Sequence, residues 1–461
     1  MTTLPRNHQI QDRSPGAEKD ASASVSCDAQ MLSIGLAVPD GQLRCDESIK
    51  LSAALAPAGT RLGRLKALHR RSGVDVRNVL FTTHASHASH APRVASNPCS
   101  TDSRGVDHNT AEHPYCSTVA CNGQPIEAFY RPDANGHGPS TAARMEQYNR
   151  VATRLGVGAA RSAFAQADAA LAMTPASVTH LITVSCTGFA APGFDQQLMD
   201  RLGLDPSVRR THIGFMGCHA AINGLAAAAA FVQAEPNALV LLCCVEICSV
   251  HFNYSNRSDQ LISNALFADG AAAVLVGNAA QRAGRISQLA QTNLEGHKKI
   301  VEFGRQEGDR ARQPAQPPFE DLPRLRRFAS MRFAKSADAM GWQVGDHGFE
   351  MTLAPQVPDL LNQKVPAWVD SVLARGDRTR DDIGGWAVHP GGPRIVRSVL
   401  DGLGLPRAAG EVSLSILRMY GNMSSPTVLF VLKRMWIERQ RRPWLGLAFG
   451  PGLAGELVLI E

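Results

Sequence analysis

From Thr141 to the last residues, apolar strand-like runs alternate with helix-like segments, and this alternation restricts the possible folds more than any single motif. The periodicity predicts helices over Thr141–Ala172, Phe194–Leu202, Cys218–Ala234, Val357–Ala374, Pro393–Leu403 and Thr427–Arg439. Strands are predicted near His180–Val184, Arg210–Gly214, Ala238–Val245, Ala271–Val276, Gly384–Val388, Leu445–Phe449 and Glu456–Ile460. Leu261–Leu266 reads as a helical approach to a tight Asp269-Gly270 turn. Each half closes on a strand after a glycine turn, Asp269-Gly270 in one and Gly450-Pro451-Gly452 in the other. Such a pattern predicts α/β layers around mostly parallel sheets, and the matching ends point to an internal duplication.

Ahead of this pattern the chain is less regular. Residues 1–30 are polar with little to bury and read as disordered. They carry charges of both signs without an apolar core, which argues against a secretory signal and for the cytoplasm. A first strand is predicted at Met31–Val38, then an amphipathic basic helix at Gly63–Arg71. A polar insertion, about 82–138, carries His84, His87 and His90, and a solvated loop suits them better than a metal site. A basic, proline-rich connection, Arg305–Arg327, separates the halves, which are expected to span 31–280 and 281–461.

Composition narrows the function by exclusion. Of 461 residues, 44% are hydrophobic and 19% charged, the make-up of a globular enzyme. A net charge of +6 is too mild to argue for nucleic acid, though it allows a basic rim for a phosphorylated substrate. No run approaches a membrane span, so no stable membrane insertion is expected, and the Ala-rich Gly224–Phe231 reads as buried helix. Ten cysteines occur, but none forms the paired spacing of a zinc site, so no metal is expected. Cys243 and Cys244, adjacent in a strand-like run, read as small buried hydrophobes.

Three polar, glycine-containing interruptions stand beside apolar segments, where such chain usually builds a site. They are Gly214–Ala221 with Cys218, Trp386–Gly392 with His389, and Arg418–Pro426 with Asn422. A thiol where a strand gives way to a helix has its thiolate stabilised by unpaired amides. His389 could hold that thiolate as an ion pair, while Asn422 can only donate and accept hydrogen bonds. Such a set serves a condensing enzyme acting on thioesters, and equally a thiol protease in which Asn orients His. Spacing alone leaves both open.

Longer text resembles the chalcone and stilbene synthase family, the type III polyketide synthases of the thiolase superfamily. It comprises Gly217-Cys218, Ala265-Leu266-Phe267-Ala268-Asp269-Gly270-Ala271, His389-Pro390-Gly391-Gly392, Tyr420-Gly421-Asn422-Met423-Ser424-Ser425 and Phe449-Gly450-Pro451-Gly452-Leu453. The likeness covers about 31–461, weakly across 82–138, and implies a thiolase fold of two similar halves in αβαβα layers. It implies Cys218 as nucleophile, with His389 and Asn422 as oxyanion donors for decarboxylating malonyl-CoA. Phe252 is matched to a gatekeeper aromatic. Met351 stands where plant members have a second gatekeeper Phe, and Ser424 falls beside Asn422 in the substrate region. Arg64, Lys66 and Arg71 are matched to residues that grip coenzyme A.

The resemblance further implies a homodimer that uses an acyl-CoA starter and malonyl-CoA, with no cofactor. Ala191 replaces a Met that reaches across the family's dimer, so a roomier cavity is expected. The text after Cys218 is nearer to bacterial alkylpyrone and alkylresorcinol enzymes. A pyrone, resorcinol or chalcone-type product is expected. The alternatives are a single-condensation ketoacyl or hydroxymethylglutaryl-type synthase, or a non-catalytic acyl-CoA-binding protein.

Overall fold

The computed structural model describes residues 29–57, 59–82, 116–133, 136–167, 171, 173–284 and 321–461. The amino-terminal segment to residue 28, His84, His87 and His90, and the connection up to residue 320 lie outside the described residues. In chain order the first half supplies β1 (Gln30–Pro39), β2 (Gly41–Arg44), β3 (Val76–Val79), β4 (Cys116–Val119), β5 (His180–Ser185), β6 (Arg209–Gly214), β7 (Leu239–Ile247) and β8 (Asp269–Gly277). The second supplies β9 (Leu325–Arg332), β10 (Met340–Gly345), β11 (Gly348–Leu353), β12 (Gly385–Val388), β13 (Trp444–Gly450) and β14 (Ala454–Ile460).

Strands β7 and β8 are buried along their whole length, and their unbroken Leu, Val, Ala and Cys runs fit central positions covered on both faces. They lie inside a six-stranded sheet of order β4-β1-β8-β7-β5-β6, while a four-stranded sheet has the order β12-β13-β14-β9. The duplication is visible in the pairing. Along β5-β7-β8-β1 successive pairs run parallel, antiparallel, antiparallel, and β12-β13-β14-β9 repeats that series. Both sheets are therefore mixed, where the sequence suggested mostly parallel ones. Helical crossovers keep β5, β6 and β7 parallel, but β8 returns after the helix Ser258–Leu266, and β14 after a tight turn, in the opposite sense.

Helices Ala220–Ala234 and Thr427–Ile437 lie between the sheets, and their apolar side chains share one core with residues such as Ile34, Val240, Ala448 and Val458. The long helix Thr141–Ala165 covers the outer face of the first sheet, with Phe194–Leu202 beside it. Val357–Ala374 and Pro393–Leu403 cover the second sheet in the same way. The result is the five-layered αβαβα arrangement.

Elsewhere the elements differ from the pattern reading. Asp269-Gly270 opens β8 instead of turning, because Asp269 pairs with Ile247 and its carboxylate accepts the Leu80 and Ser249 N–H groups, each at 2.7 Å. Within the polar stretch, β4 pairs in parallel with β1, and a short helix covers Ile126–Phe129. The hairpin β10–β11, missed from sequence, belongs to neither main sheet.

Gly35 in β1 meets the covering helix so closely that a Cβ would stand 2.1 Å from the Ala163 nitrogen and 2.2 Å from the Ala159 oxygen. Gly35→Ala should cost about 3 kcal/mol by overpacking against backbone that cannot yield. Urea unfolding measures it, and an unchanged midpoint would show that β1 and the helix can separate without penalty.

Candidate active site

Two segments that follow strands β6 and β12, and a turn between the helices Glu411–Tyr420 and Thr427–Ile437, converge on one cleft. Its lining includes Cys218, His389 and Asn422 together with Leu266, Phe267, Met340, Trp342, Met351, Leu353, Gly391, Ile395, Phe449 and Pro451. The lining is mostly apolar with few polar groups, the make-up of a small-ligand site.

Asn422 is the most firmly held of the three. Its backbone N–H donates to the Leu266 carbonyl and its carbonyl accepts from the Ala268 N–H, both at 2.9 Å, so the turn is stitched to the segment entering β8. The approach requires Gly421, where φ is +72° and a Cβ would lie 2.9 Å from the Ala268 Cβ. The Asn422 Oδ1 accepts the Ser424 N–H at 2.8 Å, with the Thr427 hydroxyl at 3.5 Å. A backbone N–H can only donate, so this oxygen is fixed as the acceptor and the Nδ2 donors remain for the cleft.

His389 ends β12, its N–H donating to the Leu447 carbonyl at 2.7 Å. Its side chain is buried, and neither ring nitrogen has a hydrogen-bond partner among the described residues. Burial, and then the nearby His219, push the imidazole down to about 3, so the ring is neutral at physiological pH.

Cys218 sits in a short 3₁₀ turn, Gly217–His219, ahead of the helix Ala220–Ala234. Burial pushes the thiol up to about 11. The Ser424 hydroxyl pulls it back, the Glu246 carboxylate pushes it further up, and the Asn422 carboxamide pulls it back. The sequence argument expected a depressed thiol paired with His389. With that shift the thiol is protonated at neutral pH, and it makes no hydrogen bond with His389. Cys218 packs on the cluster of Cys248, Phe267 and Met351, and desolvation there outweighs the turn's amides.

The remaining sequence candidates separate. Met351 lines the cleft, and Ser424 is buried beside Asn422 with φ +58°. Phe252 is buried away from the cleft lining, its ring under the Arg77 guanidinium at 5.0 Å and 5.7 Å from Tyr130. Phe267 does line the cleft, beside Trp342 and Phe449, and its carbonyl accepts from Arg77 at 2.7 Å. Its position in the Ala265–Ala271 motif, directly opposite Asn422, was the available signal. Arg64, Lys66 and Arg71 are exposed on the helix Leu62–Ser72, which packs against Ser258–Leu266. Arg64 donates to the Ser258 hydroxyl at 2.7 Å, and Leu266 at the far end of that helix lines the cleft. Ala191 is exposed and does not line the cleft.

Two groups went unforeseen. The hairpin pairs Met340 with Leu353 and Trp342 with Met351 directly across its strands, and all four side chains line the cleft. Trp342 lies 5.6 Å from Phe267, so an indole and a phenyl ring stand side by side in the cleft wall. The second is Glu246, a fully buried carboxyl behind the cysteine and asparagine turns. A lone carboxylate ending the apolar run Leu239–Ile247 could have marked it.

Layered fold and thiol–imidazole–carboxamide cleft together define a condensing enzyme of the thiolase type. The descriptions "Chalcone and stilbene synthases, N-terminal domain" and "C-terminal domain" match residues 131–280 and 327–461. The 3,5-dihydroxyphenylacetyl-CoA synthase of Amycolatopsis orientalis is 30% identical over 322 residues, covering 69% of this chain and 76% of that one. The alpha-pyrone synthesis polyketide synthase-like Pks18 of Mycobacterium tuberculosis is 29% identical, covering 69% and 72%. Polyketide synthase 37 of Dictyostelium discoideum is 30% identical over 62% of this chain, which spans only 9% of that protein. The fold matches a crystal structure of PKS-I from the brown alga Ectocarpus siliculosus with a TM-score of 0.71 at 24% identity, covering 94% and 98% of the two chains. The chain belongs to the chalcone and stilbene synthase family, the type III polyketide synthases, acyltransferases that use coenzyme A thioesters.

A neutral buried His389 has a consequence for stability. Its proton affinity is lower folded than unfolded, so between about 6.5 and about 3 the unfolded chain binds the extra proton and stability falls as pH falls. His389→Gln should remove that contribution. Between pH 7 and pH 5 the wild type should lose on the order of 1–2 kcal/mol more than the variant in urea unfolding. Parallel losses would mean that His389 is protonated in the folded protein.

Proposed function

We propose that this type III polyketide synthase loads an acyl starter on Cys218 and extends it with malonyl units decarboxylated at His389 and Asn422, giving a pyrone or resorcinol-type product. One observation carries the reading. The Asn422 carboxamide has its oxygen tied down, so its Nδ2 donors share the cleft with an unpartnered imidazole and the only thiol in the lining.

In loading, the Cys218 sulfur attacks the starter thioester, its proton passes to His389, and coenzyme A leaves as the thiol. The malonyl thioester then places its carbonyl oxygen between His389 and the Asn422 Nδ2. Loss of carbon dioxide leaves an enolate whose oxygen both groups stabilise. The enolate carbon attacks the acyl carbon on Cys218, a carbon–carbon bond forms, and the Cys218 thiolate departs. Arg64, Lys66 and Arg71 supply an exposed basic face for the coenzyme A phosphates. Exposed Phe189, Phe215 and Met216, near the nucleophile turn, support burial against a second copy in a homodimer. No helix among the described residues is long and apolar enough to cross a membrane.

Substitutions separate the steps. Asn422→Ala should slow malonyl-CoA decarboxylation on the order of a hundredfold to a thousandfold yet still permit acylation of Cys218, seen by intact mass. Cys218→Ala should form no polyketide and retain some decarboxylation. Acyl label on another cysteine would refute the assignment.

The lining supports an aliphatic starter, since each buried CH₂ contributes roughly 0.8 kcal/mol. Across acyl-CoA starters of rising length, activity should climb and then drop. Trp342→Ala should move the optimum to longer chains and Met351→Phe to shorter ones. Product masses show the number of malonyl units added, and a single condensation with every starter would favour a ketoacyl synthase instead.

A further inference from the structure

Glu246 lies near the end of β7, buried between the two halves and absent from the cleft lining. Its Oε2 accepts from the Cys186 N–H at 2.9 Å and the Thr187 hydroxyl at 2.8 Å, and its Oε1 from the Ser425 hydroxyl at 2.6 Å. Each bond reaches a different part of the site. Cys186 in turn accepts the Gly217 N–H on its sulfur at 3.0 Å, one residue before the nucleophile. Ser425 follows the turn that carries Asn422. Thr187 also accepts the Ile247 N–H at 2.9 Å, closing the loop onto β7.

None of these partners carries a positive charge, so the carboxylate is held by hydrogen bonds alone. The titratable groups that feel it are Cys218, Cys186, Cys244, Cys248 and Tyr148, every one of which binds its proton more tightly beside an anion. Facing Cys218 from the other elements are Ser424 and Asn422, with His389 across the cleft.

We propose that Glu246 is a positioning residue of the condensation reaction: it fixes the cysteine turn to the asparagine turn, and its charge sets how readily Cys218 surrenders its proton. The inference rests on Cys218 being the nucleophile proposed above. Burial pushes the Glu246 carboxyl up to about 7, while Ser425, Cys186 and Thr187 pull it back. Glu246 thus changes charge within the working range of an enzyme. Below that pH the neutral acid leaves the thiol easier to ionise, and above it the anion holds the proton on sulfur. Substrate loading, which needs the thiolate, is thereby coupled to a group that the substrate does not touch.

Alkylation by iodoacetamide, followed by mass analysis of the Cys218 peptide across pH 5–9, tests this without any acyl-CoA turnover. It therefore reads the thiol whether or not the polyketide assignment holds. Glu246→Gln keeps the shape, its amide oxygen able to accept from Cys186 and Thr187 and its NH₂ to donate to Ser425. In that variant the Cys218 rate at high pH should rise on the order of tenfold, the effect of removing one nearby like charge. An unchanged rate in a variant that melts with the wild type would overturn the proposal. The wild type offers the same test unaltered. Its logarithmic rate should climb with pH, flatten near pH 7 as Glu246 ionises, and climb again, as two coupled acids require. A single straight limb through pH 7 would likewise overturn it.

Discussion

The Asn422 N–H donates to Leu266 and its carbonyl accepts from Ala268, and this bridge joins a turn of the second half to the entry of β8 in the first. Much of the site depends on it. Phe267 lies between the two bonded residues and is held on its other side by Arg77, so its ring faces the cleft from a backbone clamped at three points. Ser424 and Thr427 then orient the Asn422 carboxamide from within its own turn. A donor aimed this way needs no reorganisation when charge develops opposite it, which is the source of an oxyanion hole's effect.

Desolvation decides the protonation states in that cleft. The same burial that makes an oxyanion donor effective keeps the thiol of Cys218 protonated and His389 neutral. Two charges in such a place are expensive unless paired. The neutral pair is the cheaper resting state, and proton transfer can wait until a thioester is there to consume the thiolate. The helix-start argument that suggested a ready thiolate is sound for an exposed turn. Against Phe267, Cys248 and Met351 the loss of water is the larger effect.

Much of the fold was legible in the sequence, as were the three side chains, Cys218, His389 and Asn422, that the fold brings into one cleft. Phe194–Leu202, Val357–Ala374 and Pro393–Leu403 appear with the bounds their periodicity predicts, because amphipathic repeats and glycine stops are local signals. Parallel or antiparallel pairing is not local, which is why β8 and β14 were placed in the wrong kind of sheet. Phe252 was matched to the gatekeeper by resemblance, but tertiary packing sets its ring against Arg77 while Phe267 meets the cleft. The hairpin escaped notice because β10 and β11 are short, glycine-flanked and partly exposed, with weak alternation.

That hairpin also separates the wall of the cleft from the thiol, imidazole and carboxamide within it. The backbone of His389 is bonded to Leu447 and that of Asn422 to Leu266 and Ala268, and Cys218 lies in the turn that follows β6. Strands β10 and β11 pair only with each other and are fastened from outside. Gln260 donates to the Met351 carbonyl at 2.7 Å, the Phe349 N–H to the His251 Nδ1 at 3.1 Å, and Gly452 to the Met340 carbonyl at 2.9 Å. Two of these anchors use hairpin carbonyls and the third a hairpin N–H, all of them backbone groups. Side chains at 340, 342, 351 and 353 can therefore change size without losing an anchor. The thiol, imidazole and carboxamide are carried by segments tied to the main sheets, while four side chains on the separate hairpin shape one wall of the cleft.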